Sequence, residues 1–195
     1  GSRKNALDHI ETAYINGFTP FSTGCHVIIA DGLKGTDDVA VPVEGGEYCK
    51  EAYIGRAVMD ADIIISLNHF KGHEEAGFGG AIKNLGMGCG SNRGKRDMHS
   101  CGKPSVDSEK CVACGECARN CAHDGPQLRD GKMFINQLNC MGCGRCIDVC
   151  PTDAIYHNDH LAAEILNCKM AEYAKAVVNG RPQFHISLVC DVSPY

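Results

Sequence analysis

Short apolar segments alternate with polar, glycine-containing ones along the chain, and their spacing predicts both strands and helices. Three consecutive isoleucines within residues 61–67 are typical of a strand that is buried on both faces. Apolar runs and alternations predict further strands at residues 25–30, 39–43 and 185–192. Apolar positions at helical spacing predict helices over residues 8–16, 48–60, 81–85 and 159–178. This mixture predicts an α/β domain.

A glycine-rich segment, residues 71–95, follows the strand predicted at 61–67. Ligands of open α/β sheets bind beyond the carboxyl ends of the strands, and glycine amides beside lysines favour an anion. We therefore expect a ligand- or anion-binding loop here, with a plain solvated loop as the alternative. The segment is neither a Walker A loop nor a dinucleotide-binding glycine pattern. The expected ligand residues are Lys71, His73, Gly79, Gly80, Lys83 and Asn84.

The composition then narrows the classes of function. Fourteen of the 195 residues are cysteine, and the net charge is −5. General nucleic-acid binders usually carry a basic domain or stripe, so this chain is not expected to bind nucleic acid. The apolar runs are too short to span a bilayer, which predicts no membrane partner. No secretory signal is visible, so we expect a cytoplasmic protein.

Eight of the cysteines form two copies of one spacing, Cys-x2-Cys-x2-Cys-x3-Cys, placed 29 residues apart. A loop of three closely spaced cysteines can supply three corners of a [4Fe–4S] cluster, and the fourth cysteine of such a run binds the other cluster. Because Gly115 aligns with Gly144 and Asp124 with Asp153, we interpret the two copies as an internal duplication. The expected ligands are Cys111, Cys114, Cys117 and Cys150 for cluster I, and Cys140, Cys143, Cys146 and Cys121 for cluster II.

Two other uses of these cysteines were weighed. Disulfides are disfavoured because they belong to oxidising compartments and no secretory signal is seen. Structural zinc sites use pairs of cysteines separated by a longer loop, whereas each copy here has three closely spaced cysteines. Zinc is therefore the main alternative to iron–sulfur clusters.

Residues 104–158 resemble a bacterial dicluster ferredoxin in the spacing within and between the motifs. The resemblance implies a β-hairpin and two short helices around two [4Fe–4S] clusters, with one-electron transfer at low potential. Ala122 departs from the pattern, since the family often has proline after the fourth cysteine. This departure implies that the two clusters differ in potential.

A second resemblance covers most of the chain and rests on six segments taken together. They resemble an uncharacterised family, a domain of unknown function of iron–sulfur-centre proteins, in which a dicluster ferredoxin is inserted into an α/β domain. Members extend beyond both ends of this chain, so we expect an internal fragment. The segments are residues 61–68, 71–73, 79–85, 86–88, 94–95 and 98–100.

These observations predict an α/β domain with an inserted α+β dicluster ferredoxin-like module. The α/β domain is expected over residues 1–103 and 159–195, with the module over 104–158. The expected function is low-potential one-electron transfer that feeds an oxidoreductase reaction or a partner at the α/β domain. The alternative is a redox-sensing or partner-docking protein without catalysis of its own. Expected partners are a redox protein and a small or anionic ligand.

Several weaker features have competing interpretations. His69 and His73 could form a metal-binding pair. Residues 91–103 are polar and locally basic, which predicts a linker, or a surface that docks an acidic partner. A third metal site is possible at Cys89, His99 and Cys101, and small apolar core positions are expected at Cys25, Cys49, Cys168 and Cys190.

Overall fold

The protein folds as a mixed α/β structure with small two-stranded sheets. The structure is a computed structural model, and it describes residues 5–73, 76–158, 161–190 and 192. The chain divides into two compact units, residues 1–95 with 167–195, and residues 96–166. The second unit contains all of the predicted module, residues 104–158, whose nature as a ferredoxin-like insertion stays a prediction.

The helices and strands are short, apart from one long helix near the end of the chain. The helices are α1 (Ala6–Ile15), α2 (Pro20–Thr23), α3 (Arg56–Met59), α4 (Ala81–Cys89), α5 (Asn92–Met98), α6 (Glu116–Arg119), α7 (Arg145–Asp148) and α8 (Ala162–Val178), with a 3-10 helix at His99–Gly102. The strands are β1 (Asp38–Pro42), β2 (Glu51–Gly55), β3 (Ile64–His69), β4 (Lys71–His73), β5 (Gly77–Gly79), β6 (Pro104–Val106), β7 (Pro126–Arg129), β8 (Lys132–Ile135), β9 (Ile155–His157) and β10 (Gln183–Leu188). None of the helices described is long and apolar enough to cross a membrane.

Most of the predicted elements of the first unit are confirmed. Strands β1, β3 and β10 correspond to the predictions at 39–43, 61–67 and 185–192. Helices α1, α4 and α8 correspond to those at 8–16, 81–85 and 159–178. Residues 159 and 160 of the last prediction lie outside the described residues.

The helix predicted over residues 48–60 is wrong, because strand β2 occupies its centre. Ala52 and Ile54 are both fully buried, and they are two residues apart, which is the period of a strand. Strand β1 pairs with β2 in antiparallel register, with Val41 opposite Ala52 and Val39 opposite Ile54. Only the last turn of the predicted helix forms, as α3.

The strand predicted at residues 25–30 is also wrong. Strands need a partner ladder, and the backbone here is used differently. The carbonyl oxygen of Ile29 accepts the amide of Gly32 in a turn, and that of Ala30 accepts the amide of Ala57. Cys25 is exposed, so the core position expected for it is wrong as well.

Strand β3 is not buried on both faces within the described structure. It pairs in parallel with β10, and one face of this two-stranded sheet is apolar and exposed. Ile65 is 65% exposed and its partner Phe184 is 64% exposed, while Leu67 is 72% exposed. The sequence pattern reported apolar character correctly but not what covers it.

The linker predicted at residues 91–103 is instead helical. Ser91 is fully buried, and its hydroxyl accepts the amide of Gly94 at 3.1 Å, which is the bond of a helix N-cap. The same hydroxyl donates to the Asp38 carboxylate at 2.7 Å. Helix α5 and the 3-10 helix follow this cap.

The second unit repeats its pattern of strand pairing. Strand β6 pairs with β9, and β8 pairs with β7, both antiparallel. Val106 lies opposite Ile155, and Ile135 lies opposite Pro126. Because 135 is 106 plus 29 and 126 is 155 minus 29, the two sheets have the same register under the sequence repeat.

Candidate metal centre

Each cysteine loop of the second unit begins with the same local turn. The side-chain Oδ1 of Asp107 accepts the amide two residues further along at 2.9 Å, and Oδ1 of Asn136 does so at 3.0 Å. Their carbonyl oxygens accept the amides of Cys111 at 3.1 Å and Cys140 at 3.0 Å. Such turns suit Asp and Asn, so both loops start alike although the two residues differ in charge.

Both loops then bend through left-handed backbone between successive cysteines. Gly115 and Gly144 each have φ of 76° and start the short helices α6 and α7. The positions two residues earlier are Ala113 with φ of 54° and Gly142 with φ of 74°. Alanine at such an angle is uncommon, and its presence shows that the loop shape is imposed on both copies.

Four predicted ligands from different copies of the motif line one pocket. The pocket encloses about 290 Å³ of empty space, and its apolar walls include Met133 and Ile155. Three of its cysteines come from the first copy and one is the last cysteine of the second copy. They are Cys111, Cys114, Cys117 and Cys150.

The other four cysteines also interact with one another. A Cβ on Gly125 would lie 3.5 Å from Cα of Cys140 and 3.7 Å from Sγ of Cys121, so these two cysteines flank the same glycine. Burial raises the pKa of the Cys146 thiol to about 12, and negative charge at Cys140 and Cys143 adds to this rise. A cationic metal centre would reverse this preference for the neutral thiols.

Backbone amides point at the sulfur of the fourth cysteine in both copies. The amide of Ala154 donates to Sγ of Cys150 at 3.2 Å, and the equivalent amide of Gly125 donates to Sγ of Cys121 at 3.4 Å. Burial would raise the pKa of Cys150, but backbone amide donors outweigh it and lower that pKa. Amide donors to cysteine sulfur are one of the factors that set iron–sulfur potentials.

No group of three or more His, Cys, Asp or Glu residues is arranged to hold a metal ion within the ranges that the structure describes. A single tetrahedral zinc ion would draw its thiolate sulfurs to about 3.8 Å from one another, given Zn–S bonds of about 2.3 Å. A [4Fe–4S] cluster binds each thiolate at a different iron, so its ligands surround a volume rather than converge on one point. The lined pocket, the apolar walls and the amide donors fit the second arrangement.

The other metal sites weighed from the sequence receive no support. His69 and His73 lie on β3 and β4, and no metal-holding group includes them among the described residues. Cys89 belongs to the first unit, and burial raises the pKa of its thiol. His99 and Cys101 belong to the second unit.

The core positions expected for the remaining cysteines are only partly right. Cys49 is buried and Cys168 is half-buried. Cys190 is exposed, because it lies just beyond the end of strand β10.

The expected anion-binding loop forms a hairpin followed by a helix. Lys71 pairs with Gly79 across strands β4 and β5, and the stem of Lys83 lies over Gly79, since a Cβ there would be 2.9 Å from Cδ of Lys83. Gly80 precedes helix α4 without a side-chain cap. The structure therefore brings Lys71, Gly79, Gly80 and Lys83 together.

The two remaining residues of that loop have partners within the protein. Nδ1 of His73 accepts the amide of Ala76 at 3.3 Å. The side-chain amide of Asn84 donates to the carbonyl oxygen of His69 at 3.3 Å. Both side chains therefore stabilise the hairpin and its junction with strand β3.

Two lysines beside the cysteine loops were missed by the cysteine spacing. The ammonium of Lys132 donates to the carbonyl oxygen of Cys111 at 2.7 Å. That of Lys103 donates to the carbonyl oxygen of Gln137 at 2.6 Å. The available signal was the repeat itself, because the two lysines are 29 residues apart.

Comparison with known proteins gives one match. A family model described as "Domain of unknown function (DUF362)" matches residues 1–195. No curated protein matches the chain. The prediction of an uncharacterised family is confirmed, and the family description carries no statement about iron or redox chemistry.

Proposed function

The chain belongs to the DUF362 family, because the family model spans its whole length, and we propose that it holds two [4Fe–4S] clusters and transfers single electrons at low potential. Cluster I would be held by Cys111, Cys114, Cys117 and Cys150, and cluster II by Cys140, Cys143, Cys146 and Cys121. The observation that carries the proposal is the pocket lined by the first four of these, to which both copies of the motif contribute.

The arrangement of the second unit supports a ferredoxin-like module inserted into an α/β domain. Residues 96–166 form one compact unit, and the chain on both sides of it belongs to the other unit. The second unit contains the paired short strands and the two short helices that the resemblance implies. We propose that this unit is the electron-transfer module.

Bound clusters would supply reversible storage of one electron each. The residues of the chain do the rest. Met133 and Ile155 wall the pocket with apolar surface, which limits water near the thiolates. The amides of Ala154 and Gly125 donate to ligand sulfurs and favour their anionic form. Together they hold the thiolates ready for iron and influence the potential.

The test is the iron, acid-labile sulfide and zinc content of protein purified without oxygen. About eight iron and eight sulfide per chain are expected for two clusters. Zinc with little sulfide, persisting after anaerobic reconstitution with iron and sulfide, would contradict the proposal and favour a structural metal protein.

A second candidate function places an oxidoreductase reaction at the hairpin of the first unit. The observation that favours it is the pair of cationic side chains, Lys71 and Lys83, on either side of Gly79. Inorganic phosphate serves as the probe for an anion site. Lys83→Gln should weaken phosphate binding and leave the iron content unchanged, whereas equal binding by both proteins would favour the carrier or redox-sensing alternative.

A further inference from the structure

Two lysines at equivalent positions of the duplication each reach into the opposite copy. Lys103 lies just before strand β6 in the first copy, and its ammonium donates to Gln137 in the loop of the second copy. Lys132 opens strand β8 in the second copy, and its ammonium donates to Cys111 in the first. The two contacts therefore cross between the copies, as the fourth cysteines do.

The contacts place positive charge beside the cysteine loops. Each lysine donates to a carbonyl oxygen, which leaves its charge uncompensated. Within the described part of the chain, neither lysine forms an ion pair with a carboxylate, whereas Lys110 pairs with Asp107 at 3.9 Å. Arg119 likewise pairs with Glu116.

The charge of each lysine acts on a different loop. Cys111 is only 6% exposed, so the bond from Lys132 ends on a buried ligand residue, where screening by water is weak. The bond from Lys103 ends three residues before Cys140. Burial raises the pKa of the Cys140 thiol, and the charge of Lys103 opposes that rise.

We infer that Lys132 and Lys103 are positioning residues that each hold one cysteine loop and raise the reduction potential of the cluster in it, Lys132 for cluster I and Lys103 for cluster II. This rests on the proposed two-cluster function. Reduction adds one electron, supplied by a low-potential one-electron donor, and therefore adds negative charge to a cluster. A nearby ammonium stabilises that charge and favours the reduced form.

The experiment is a potentiometric titration of the full iron-loaded chain with dithionite, followed by electron paramagnetic resonance. Lys132→Gln keeps a side-chain N–H donor and removes the charge. It should lower one of the two potentials so that, at a fixed potential, the ratio of reduced to oxidised cluster falls about tenfold, which is about 59 mV for one electron. Lys103→Gln should lower the other potential. Lys132→Arg and Lys103→Arg should keep wild-type values.

Lys110→Gln is the matched control, since it removes a lysine whose charge is already paired, and both potentials should stay in place. If a Gln variant takes up less iron, its potential is read from the loaded fraction, because a potential does not depend on how much protein carries a cluster. The inference is overturned if both variants shift the same potential, or if neither shifts one. Wild-type protein without iron and sulfide would instead refute the proposed function itself.

Discussion

The amide of Asp107 donates to the carbonyl oxygen of Ala154 at 2.7 Å, and this bond joins the start of one cysteine loop to the end of the other copy. The equivalent bond, from Asn136 to Gly125, has the same length. Asp107 lies four residues before Cys111, and Ala154 lies four residues after Cys150. The exchange therefore brings the fourth cysteine of each copy to the loop of the other.

This exchange predicts which cluster each fourth cysteine supports. Cys150→Ser should impair cluster I although the residue belongs to the second copy, and Cys121→Ser should impair cluster II. Each variant should retain about four iron per chain instead of about eight, measured after anaerobic purification.

Cys168→Ser is the matched control, because Cys168 lies on helix α8 outside both motifs, and it should leave the iron content unchanged. If each copy bound a cluster with its own four cysteines, Cys150→Ser would instead remove the signal that is lost in Cys140→Ser. Comparison of the two residual spectra decides between the assignments.

Gly142→Ala should destabilise the second cysteine loop. A Cβ on Gly142 would overlap the carbonyl oxygen of His99, in the 3-10 helix that packs on this loop. The left-handed backbone at φ of 74° adds strain of about 1 kcal/mol or more. We expect a lower melting temperature and loss of about half the iron.

Gly131→Ala isolates the contact from the backbone strain. Gly131 has φ of 75°, and a Cβ there would meet nothing within 4 Å. Its substitution should cost only the strain and should leave the iron content intact. Equal effects of Gly142→Ala and Gly131→Ala would show that the contact with His99 has no energetic importance.

Removal of iron should unfold much of the second unit. Its buried apolar cluster consists of Cys111, Cys117, Met133, Ala154 and Ile155, so two of its five members are proposed ligands. So small a core cannot offset the entropy of ordering the loops without the metal–thiolate bonds. Chelation should therefore increase amide hydrogen exchange over residues 104–158 far more than over residues 38–55. Unchanged exchange in both segments would contradict this dependence.

Glu172 on helix α8 should stabilise the first unit in a pH-dependent way. Its carboxylate accepts three successive backbone amides, from Glu47 at 2.7 Å, Tyr48 at 3.1 Å and Cys49 at 2.7 Å. Burial raises the pKa of Glu172, but these bonds outweigh it and the pKa is lowered. The stabilisation is therefore complete above the unfolded-state pKa of about 4.3 and is lost as the pH falls through the lower folded-state value.

Glu172→Gln should cost about 1 kcal/mol at pH 7, a modest value because the group is partly exposed. Urea unfolding of both proteins across the acid range is the measurement. The difference should disappear at the acid end, where wild-type Glu172 is protonated. A constant difference at all pH values would mean that shape, and not charge, holds the loop.

The spacing of residues alone determined the features that depend on local periodicity. The 29-residue repeat is visible in the cysteines, and the strand register of the second unit follows it. Strand β1 and helices α1 and α8 follow from the alternation of apolar and polar positions near each residue. Local patterns suffice there because the same few neighbours set both the backbone and the buried face.

Tertiary structure decided the features that depend on distant partners. Residues 51–55 form a strand because residues 38–42 pair with them, and the helix at Asn92 starts because Ser91 is buried and capping. The carbonyl partners of Lys103 and Lys132 lie 34 and 21 residues away. No short pattern encodes such pairs, since they arise only when the folded chain brings separate segments together.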